Sequence, residues 1–504
     1  SMELAFQTSP LHFLRSAVQE VHFQEETAES IVPDSYPDIA AIADCCADAI
    51  LRGKDCRDGS VTIAGGIKGG IFYTPEDGTY PRKLELYMPV SMKLENPALT
   101  SQAQVLCSLR VRSVDARMIN SRKAMLRVSL GCEIVAYEEA TEELCSLQGQ
   151  YPGLQTKTAN YEAILPLETS EKSFVITDTL ELGSSRPPIV QLYQQSCRLE
   201  LSDRKLVGNK AVFKGMLYFK ALYLSENETL YLHQQQIPFS QYCELQRDYD
   251  GEAVSVLPVI TGYDLELDDG ADRQQMLLSV NVLAQCVVTG KTQLQLLEDA
   301  YCTQGKLEAQ WKTYDMDSCL DRQDSLETAR QHLSGSLREL LDTTVYWDYP
   351  AQEQQPGQVK ITVPVTIRVL GYNDQGELTA LTGRTEAVQT LALSDTAFCC
   401  VRAVPEGEIY TMLAADGAET RCTVSVQTAC FSRNKLQTLC GGTIAEPEEP
   451  DQDRPSVIIR TMQKDASLWE IAKAYGTTEA GIRAVNHLEG DRLAEDTLLL
   501  VPIG

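Results

Sequence analysis

Residues 357–372, GQVKITVPVTIRVLGY, put Val359, Ile361, Val363, Val365, Ile367 and Val369 at alternate positions, with Lys360, Thr362, Thr366 and Arg368 between them. A period of two places alternate side chains on opposite faces, which predicts a half-buried strand. Pro364 cannot donate to a ladder, so the strand should meet an open edge or a bulge there. KLELYMPVSMKL (83–94) and MLRVSLGCEIVAY (125–137) alternate in the same way. Many such strands, separated by turn residues, predict a mainly β fold of tandem antiparallel, sandwich-like or barrel-like modules. Two stretches read instead as short helices between strands, PDIAAIADCCADAI (37–50) and SLETARQHLSGSLRELL (325–341).

The pattern repeats. YPDIAAI (36–42) answers to RPPIVQL (186–192), with Pro37 and Pro187 standing 150 residues apart. At the same offset GSVTIAGGIKGGIFY (59–73) lies over NKAVFKGMLYFKALY (209–223), and an acidic or polar turn follows in each. MPVS (88–91) then matches IPFS (237–240), and Arg122 and Met125 match Arg273 and Met276. A third, weaker copy keeps the strand at 357–372 and the turn NDQG, but lacks the P-x-I element and the proline after the turn. The expected boundaries are 1–155, 156–315 and 316–443 for the three copies. A Pro- and acid-rich extended linker (444–455) and a terminal unit (456–504) follow.

Composition narrows the function. A net charge of −27 over 504 residues disfavours nucleic acid and anionic membrane surfaces, both of which need basic patches. The first thirty residues show no basic start before an apolar core, and no apolar run reaches the length of a spanning helix. The expectation is a chain without a signal peptide, kept in the cytosol. Sixteen cysteines include no C-x-x-C, and Cys45–Cys46 and Cys399–Cys400 are adjacent, so they read as small core residues. His12, His22, His233, His332 and His487 are dispersed, and neither a P-loop nor a G-x-S-x-G occurs. GGIKGG (65–70) lies inside a strand and reads as close packing. Glu29, Asp34 and Asp38 read as turn and capping residues. No catalytic residue, metal ligand or cofactor is assigned. An enzyme hidden in a β module would show itself as a deep pocket of converging carboxylates or histidines.

The terminal unit carries the clearest signal. SVIIRTM (456–462) reads as a strand, and Ser467 with Glu470 forms a capping box before LWEIAKAY. Leu468, Ile471, Ala472 and Tyr475 share one helical face, and Gly476 suits the end of that helix. Thr477 or Thr478 opens a second helix, with Ile482 and Val485 inward and Asn486 at its end. TLLLVP (497–502) closes a β-α-α-β order. SLWEIAKAYGTT, IRAVNHL and LLLVP resemble the LysM family. The resemblance implies a shallow groove for N-acetylglucosamine-containing glycans between the loop after the first strand and the loop before the last. In this sequence those loops are Lys464, Asp465, Ala466 and Ser467, and Leu493, Ala494, Glu495, Asp496 and Thr497. The family favours glycine where Asp465 and Asp496 stand. Glycine permits close backbone approach and positive φ, so the exchange should narrow and re-aim the groove toward a protein ligand. Trp469 would anchor an interface if exposed, although at helical spacing it more often packs.

The first two copies resemble the SPOCS domain through ESIVPDSYPDIAAI, the V-x-I-x-G…IFY strand and MPVS/IPFS; the third does so by pattern alone. Tandem SPOCS domains ahead of a C-terminal LysM are the arrangement of clostridial spore-coat morphogenetic proteins. That resemblance implies a non-enzymatic scaffold in the mother-cell cytoplasm. It would contact the ATPase of the coat basement layer and act at the forespore surface. The alternative expectation is a peptidoglycan-binding protein acting through LysM.

Overall fold

The structure, a computed structural model, describes residues 1–268, 270, 274–432, 435–447 and 453–503; Arg273 and the middle of the expected linker lie outside them. Up to Ala445 its regular structure is antiparallel strand. After a short β1 (Met2–Glu3), the first copy runs β2 (Ala5–Ile31), β3 (Ile39–Arg57), β4 (Ser60–Pro75), β5 (Arg82–Glu95), β6 (Gln104–Asn120) and β7 (Lys123–Gln148). The second runs β8 (Leu154–Glu181), β9 (Ile189–Val207), β10 (Lys210–Ser225), β11 (Leu230–Glu244), β12 (Ala253–Leu267) and β13 (Gln275–Cys302). After β14 (Lys306–Tyr314) the third runs β15 (Ser318–Ser334), β16 (Glu339–Trp347), β17 (Ala351–Gln355), β18 (Gln358–Tyr372), β19 (Leu378–Ala392), β20 (Ala397–Ala414) and β21 (Gly417–Ser432); β22 (Leu436–Ala445) follows.

Each copy is a sandwich of two sheets. β3-β4-β5 faces β2-β7-β6, β9-β10-β11 faces β8-β13-β12, and β16/β17-β18-β19 faces β15-β21-β20. One buried cluster fills each, and the third contains Val359, Ile361, Val363, Val365, Ile367 and Val369 as a single face. The third copy is therefore complete, with β16 and β17 dividing the role of β3 and β9. Pro364 lies opposite their junction. Its carbonyl accepts from Asp348 N (2.8 Å), so its missing N–H also points at the gap between the two strands.

Both expected helices are strands. The first, 37–50, is most of β3, which carries register shifts at Ile39/Ala41 and Ile42/Asp44. Each bulge inserts a residue and breaks the two-residue period, leaving apolar spacings of three and four that imitate a helix. The second, 325–341, is the end of β15, a turn at Gly335 (φ +155°) and the start of β16. Pairing of β15 with β21 from Ser318 to Ser334 overrides its helical propensity. The glycines of GGIKGG are packing sites. A Cβ on Gly65, Gly66 or Gly69 would collide with Leu109, Tyr87 or Leu126. The acidic turn is stapled by Arg122, which donates to the carbonyls of Tyr36 (2.8 Å), Val32 (3.1 Å) and Pro33 (2.9 Å) and to Asp38 Oδ1 (3.0 Å).

The outer faces of β4, β10 and β18 are also covered, because the copies close on one another in a pseudo-threefold ring. The register shift at Ala43 recurs at Tyr193 and Leu341. These bulged residues meet Phe72, Leu222 and Leu370, again one position taken from each copy, in one buried cluster. Phe72 and Tyr193 stack at 5.9 Å. Two residues along, Lys220 of the second copy donates to Asp342 Oδ1 of the third (2.9 Å), and Arg368 of the third pairs with Asp44 of the first (2.7 Å). Lys220 and Arg368 are equivalent positions, as are Asp342 and Asp44. At the remaining junction the two positions are Gly70 and Gln194, so cation and anion are both absent. The walls close in the same sense. Tyr263 of β12 bonds Asp48 on β3 (3.1 Å). Arg112 of β6 grips Asp348 after β16 (2.7 and 2.9 Å). Gly407 of β20 accepts from Arg198 on β9 (2.8 Å).

Burial raises the pKa of Asp44 even though the Arg368 guanidinium opposes it. Arg368→Met, which leaves that carboxyl alone in the junction, is expected to cost about 3–5 kcal/mol in chemical denaturation, and Arg368→Met with Asp44→Leu to recover most of the loss.

Candidate functional site

The terminal unit consists of β23 (Val457–Met462), α1 (Leu468–Tyr475), α2 (Glu479–Asn486) and β24 (Thr497–Pro502), with β23 and β24 antiparallel. Ser467 caps α1 by accepting from Glu470 N (3.4 Å), and Gly476 ends it in the left-handed region. Thr478 caps α2 and Asn486 is its last residue. Leu468, Ala472 and Ile482 are fully buried, whereas Val485, expected to face inward, is 41% exposed, leaving Ile482 as the buried residue of α2.

The nine residues expected to form the groove fall on two loops that are zipped together. Asp465 N donates to Leu493 O (2.9 Å), Leu493 N to Ala466 O (3.1 Å), and Ser467 forms a β-bridge with Arg492. Asp465 itself has φ +68°, the conformation glycine favours and aspartate tolerates. Arg492 holds its carbonyl at 2.8 Å. From the other loop, Asp496 Oδ1 accepts Lys464 N (2.7 Å), so a carboxylate spans the gap between the loops. Thr497 Oγ1 donates to Glu495 O (2.8 Å). Lys464, Asp465, Ala494, Glu495 and Asp496 are exposed; Ala466, Ser467 and Thr497 are half-buried, and Leu493 is buried.

Trp469 faces β13 instead. It is buried, its Nε1 donates to Asp299 Oδ2 (2.8 Å), and its ring meets Tyr301 edge-on at 5.0 Å. Lys473 pairs with Asp299 (3.0 Å), and Tyr301 OH donates to Thr477 O (2.6 Å). Trp469 is thus an anchor within the chain, fastening the terminal unit to β13. A bulge at Glu298, where the β13–β8 register shifts, aims Asp299 and Tyr301 at the helix. Nothing in the sequence marks that bulge, and these two residues were not foreseen. Ile444 and Ala445, expected in the linker, instead pair with Leu307 and Lys306 as the end of β22.

A second concave site lies at the ring junction, a cavity of about 680 Å³ lined by all three copies. Asp48 and Asp342 reach it, along with Arg198, Lys220 and Tyr346. Burial lifts the Asp48 pKa to about 6, against the lowering effects of the Tyr263 hydroxyl, Lys220 and Lys68. The repeat alignment could have found part of this site, since it superposes Asp44 on Asp342 and Lys220 on Arg368. All sixteen cysteines are free, half of them buried, and among the described residues no cluster of His, Cys, Asp and Glu is arranged to hold a metal.

Among known families, the LysM domain matches residues 463–502, a binding module and not a catalytic one. No curated protein and no solved structure matches the chain.

Tyr301→Ala is expected to release the terminal unit, seen as a red shift of Trp469 emission and faster proteolysis between the two parts, while the global unfolding midpoint of the β ring stays unchanged. Burial acts to raise the Asp299 pKa, but Trp469, Lys473 and the Ala300 amide together hold it below the ordinary value. Its contribution to docking is therefore complete above the ordinary carboxylate range and is lost as pH falls through the depressed value. For Asp48 the sign is opposite. The stability of Asp48→Asn relative to the native protein should rise from about pH 4, the ordinary carboxylate range, to about pH 6 and level off above it.

Proposed function

We propose that the chain is a SipL-like, non-enzymatic spore-coat assembly scaffold. It would link the ATPase of the coat basement layer to the forespore surface, in the mother-cell cytoplasm, through protein contacts that include the LysM groove. The observation that carries this reading is the Asp496–Lys464 bond across the groove loops, with Asp465 at the neighbouring left-handed position. Carboxylates occupy the two places where a bare main chain would meet a sugar ring, and exposed Asp465, Glu495 and Asp496 favour a partner bearing Lys or Arg. The docking through Trp469 supports a scaffold as well. It uses α1 and Thr477 rather than the loop residues, and Asp465, Glu495 and Asp496 stay exposed.

A second reading, peptidoglycan binding through the same groove, is favoured by the LysM match itself. Co-sedimentation of the full chain with insoluble peptidoglycan, beside capture of the purified coat ATPase, separates the two. The scaffold reading expects ATPase capture that weakens about tenfold or more in Asp465→Ala/Asp496→Ala, with little sedimentation. Tight sedimentation without ATPase capture reverses the order.

A further inference from the structure

The cavity at the ring junction has the size of a small-molecule site, which typically spans ~300–1,000 Å³. Its lining is not that of a packing void. Apolar voids stay dry, whereas this one is walled by polar groups from three directions. Asp48, Arg198 and Tyr346 occupy the same position in the three copies, and all three line it. They have diverged in charge and shape, so pseudo-symmetry places three different polar groups around one space.

The cations of the lining are already engaged. Lys220 Nζ donates to Asp342 Oδ1 (2.9 Å), Thr343 O (2.9 Å) and Thr344 Oγ1 (3.3 Å), which uses all three of its protons. Arg198 is held by Glu200 (3.0 Å) and the Gly407 carbonyl (2.8 Å), with its guanidinium 4.3 Å from the Tyr218 ring. Arg110 donates to the carbonyls of Asp348 (3.2 Å) and Ala403 (3.1 Å). Lys220 and Arg198 are each paired with a carboxylate and Arg110 is spent on carbonyls, so an anion entering here would also face Asp48, Asp342 and, at the rim, Glu408, which accepts from Gln236 (2.8 Å). What remains for a ligand is neutral hydrogen bonding and aromatic surface. Asp48 bonds Tyr263 through one oxygen and presents the other. Tyr346 OH accepts from Ala47 N (3.4 Å) and keeps its proton to donate. The Tyr218 ring adds apolar area, while Trp347 borders the cavity but packs in the core of the third sandwich.

We propose that this cavity binds a neutral polyhydroxylated molecule of one or two sugar rings, whose hydroxyls pair with Asp48 and Tyr346 while its apolar ring face lies against Tyr218. The site exists only where three copies meet, so it belongs to the closed ring and not to any single sandwich. It is separate from the LysM groove.

Isothermal titration of the full chain with trehalose, maltose, cellobiose and myo-inositol tests this. At least one should bind one-to-one, about tenfold more weakly to Asp48→Asn. Binding should vanish in Ser196→Trp, which places an indole inside the cavity, and persist in Asp496→Ala, which alters the LysM loops. If Ser196→Trp lowers the melting temperature, the isosteric Asp48→Asn variant decides alone. Absence of saturable heat with all four up to about 10 mM overturns the proposal. So does binding unchanged in Asp48→Asn, binding that survives in a folded Ser196→Trp, or glucose 6-phosphate binding more than tenfold tighter than any neutral sugar.

Discussion

One inserted residue, repeated three times, organises the molecule. A strand that pairs regularly turns alternate side chains into its own sandwich and out toward solvent. The bulges at Ala43, Tyr193 and Leu341 break that alternation at one place in each copy and re-aim the side chain sideways. There they meet Phe72, Leu222 and Leu370, and an apolar cluster forms that no single copy could enclose. Everything beside it follows from that closure. The outer faces of β4, β10 and β18 become interior, so the polar residues on them must find partners, and they find them in the neighbouring copy. Lys220 with Asp342 and Arg368 with Asp44 are the result.

Closure also accounts for the asymmetry. A ring of identical units would carry three identical junctions. Here one junction has lost both members of its charge pair, to Gly70 and Gln194, which is the outcome expected when removing only one would leave a buried charge alone. Diversified polar groups gather around the adjacent cavity, where three chemically different side chains share one equivalent position. The ring thus serves at once as a stability device and as the source of a concave site.

The terminal module is tied to this body by a small, mixed contact. An edge-on pair of aromatic rings supplies apolar area, and one carboxylate, Asp299, takes both an indole N–H and an ammonium. Such a contact orients without making the two parts inseparable. It holds the module through α1 and Thr477, and Asp465 and Asp496 in the two loops stay exposed.

By itself the sequence determined the β class, the alternating inner faces, the 150-residue repeat and the βααβ tail with its caps at Ser467 and Gly476. Each of these depends on neighbours a few residues apart or on direct comparison of two segments. The tertiary structure alone decided that 37–50 and 325–341 are strands, because bulges and distant pairing overrule a local period. It decided that Lys360, Thr362, Thr366 and Arg368 do not form a solvent face, since the cover over Thr366 and Arg368 comes from another copy. It decided that Trp469 packs on Tyr301, a residue 168 positions earlier in the chain. Burial and ion pairing are properties of what lies opposite a side chain, and in a ring closed by three copies that neighbour is set by how the whole chain returns on itself.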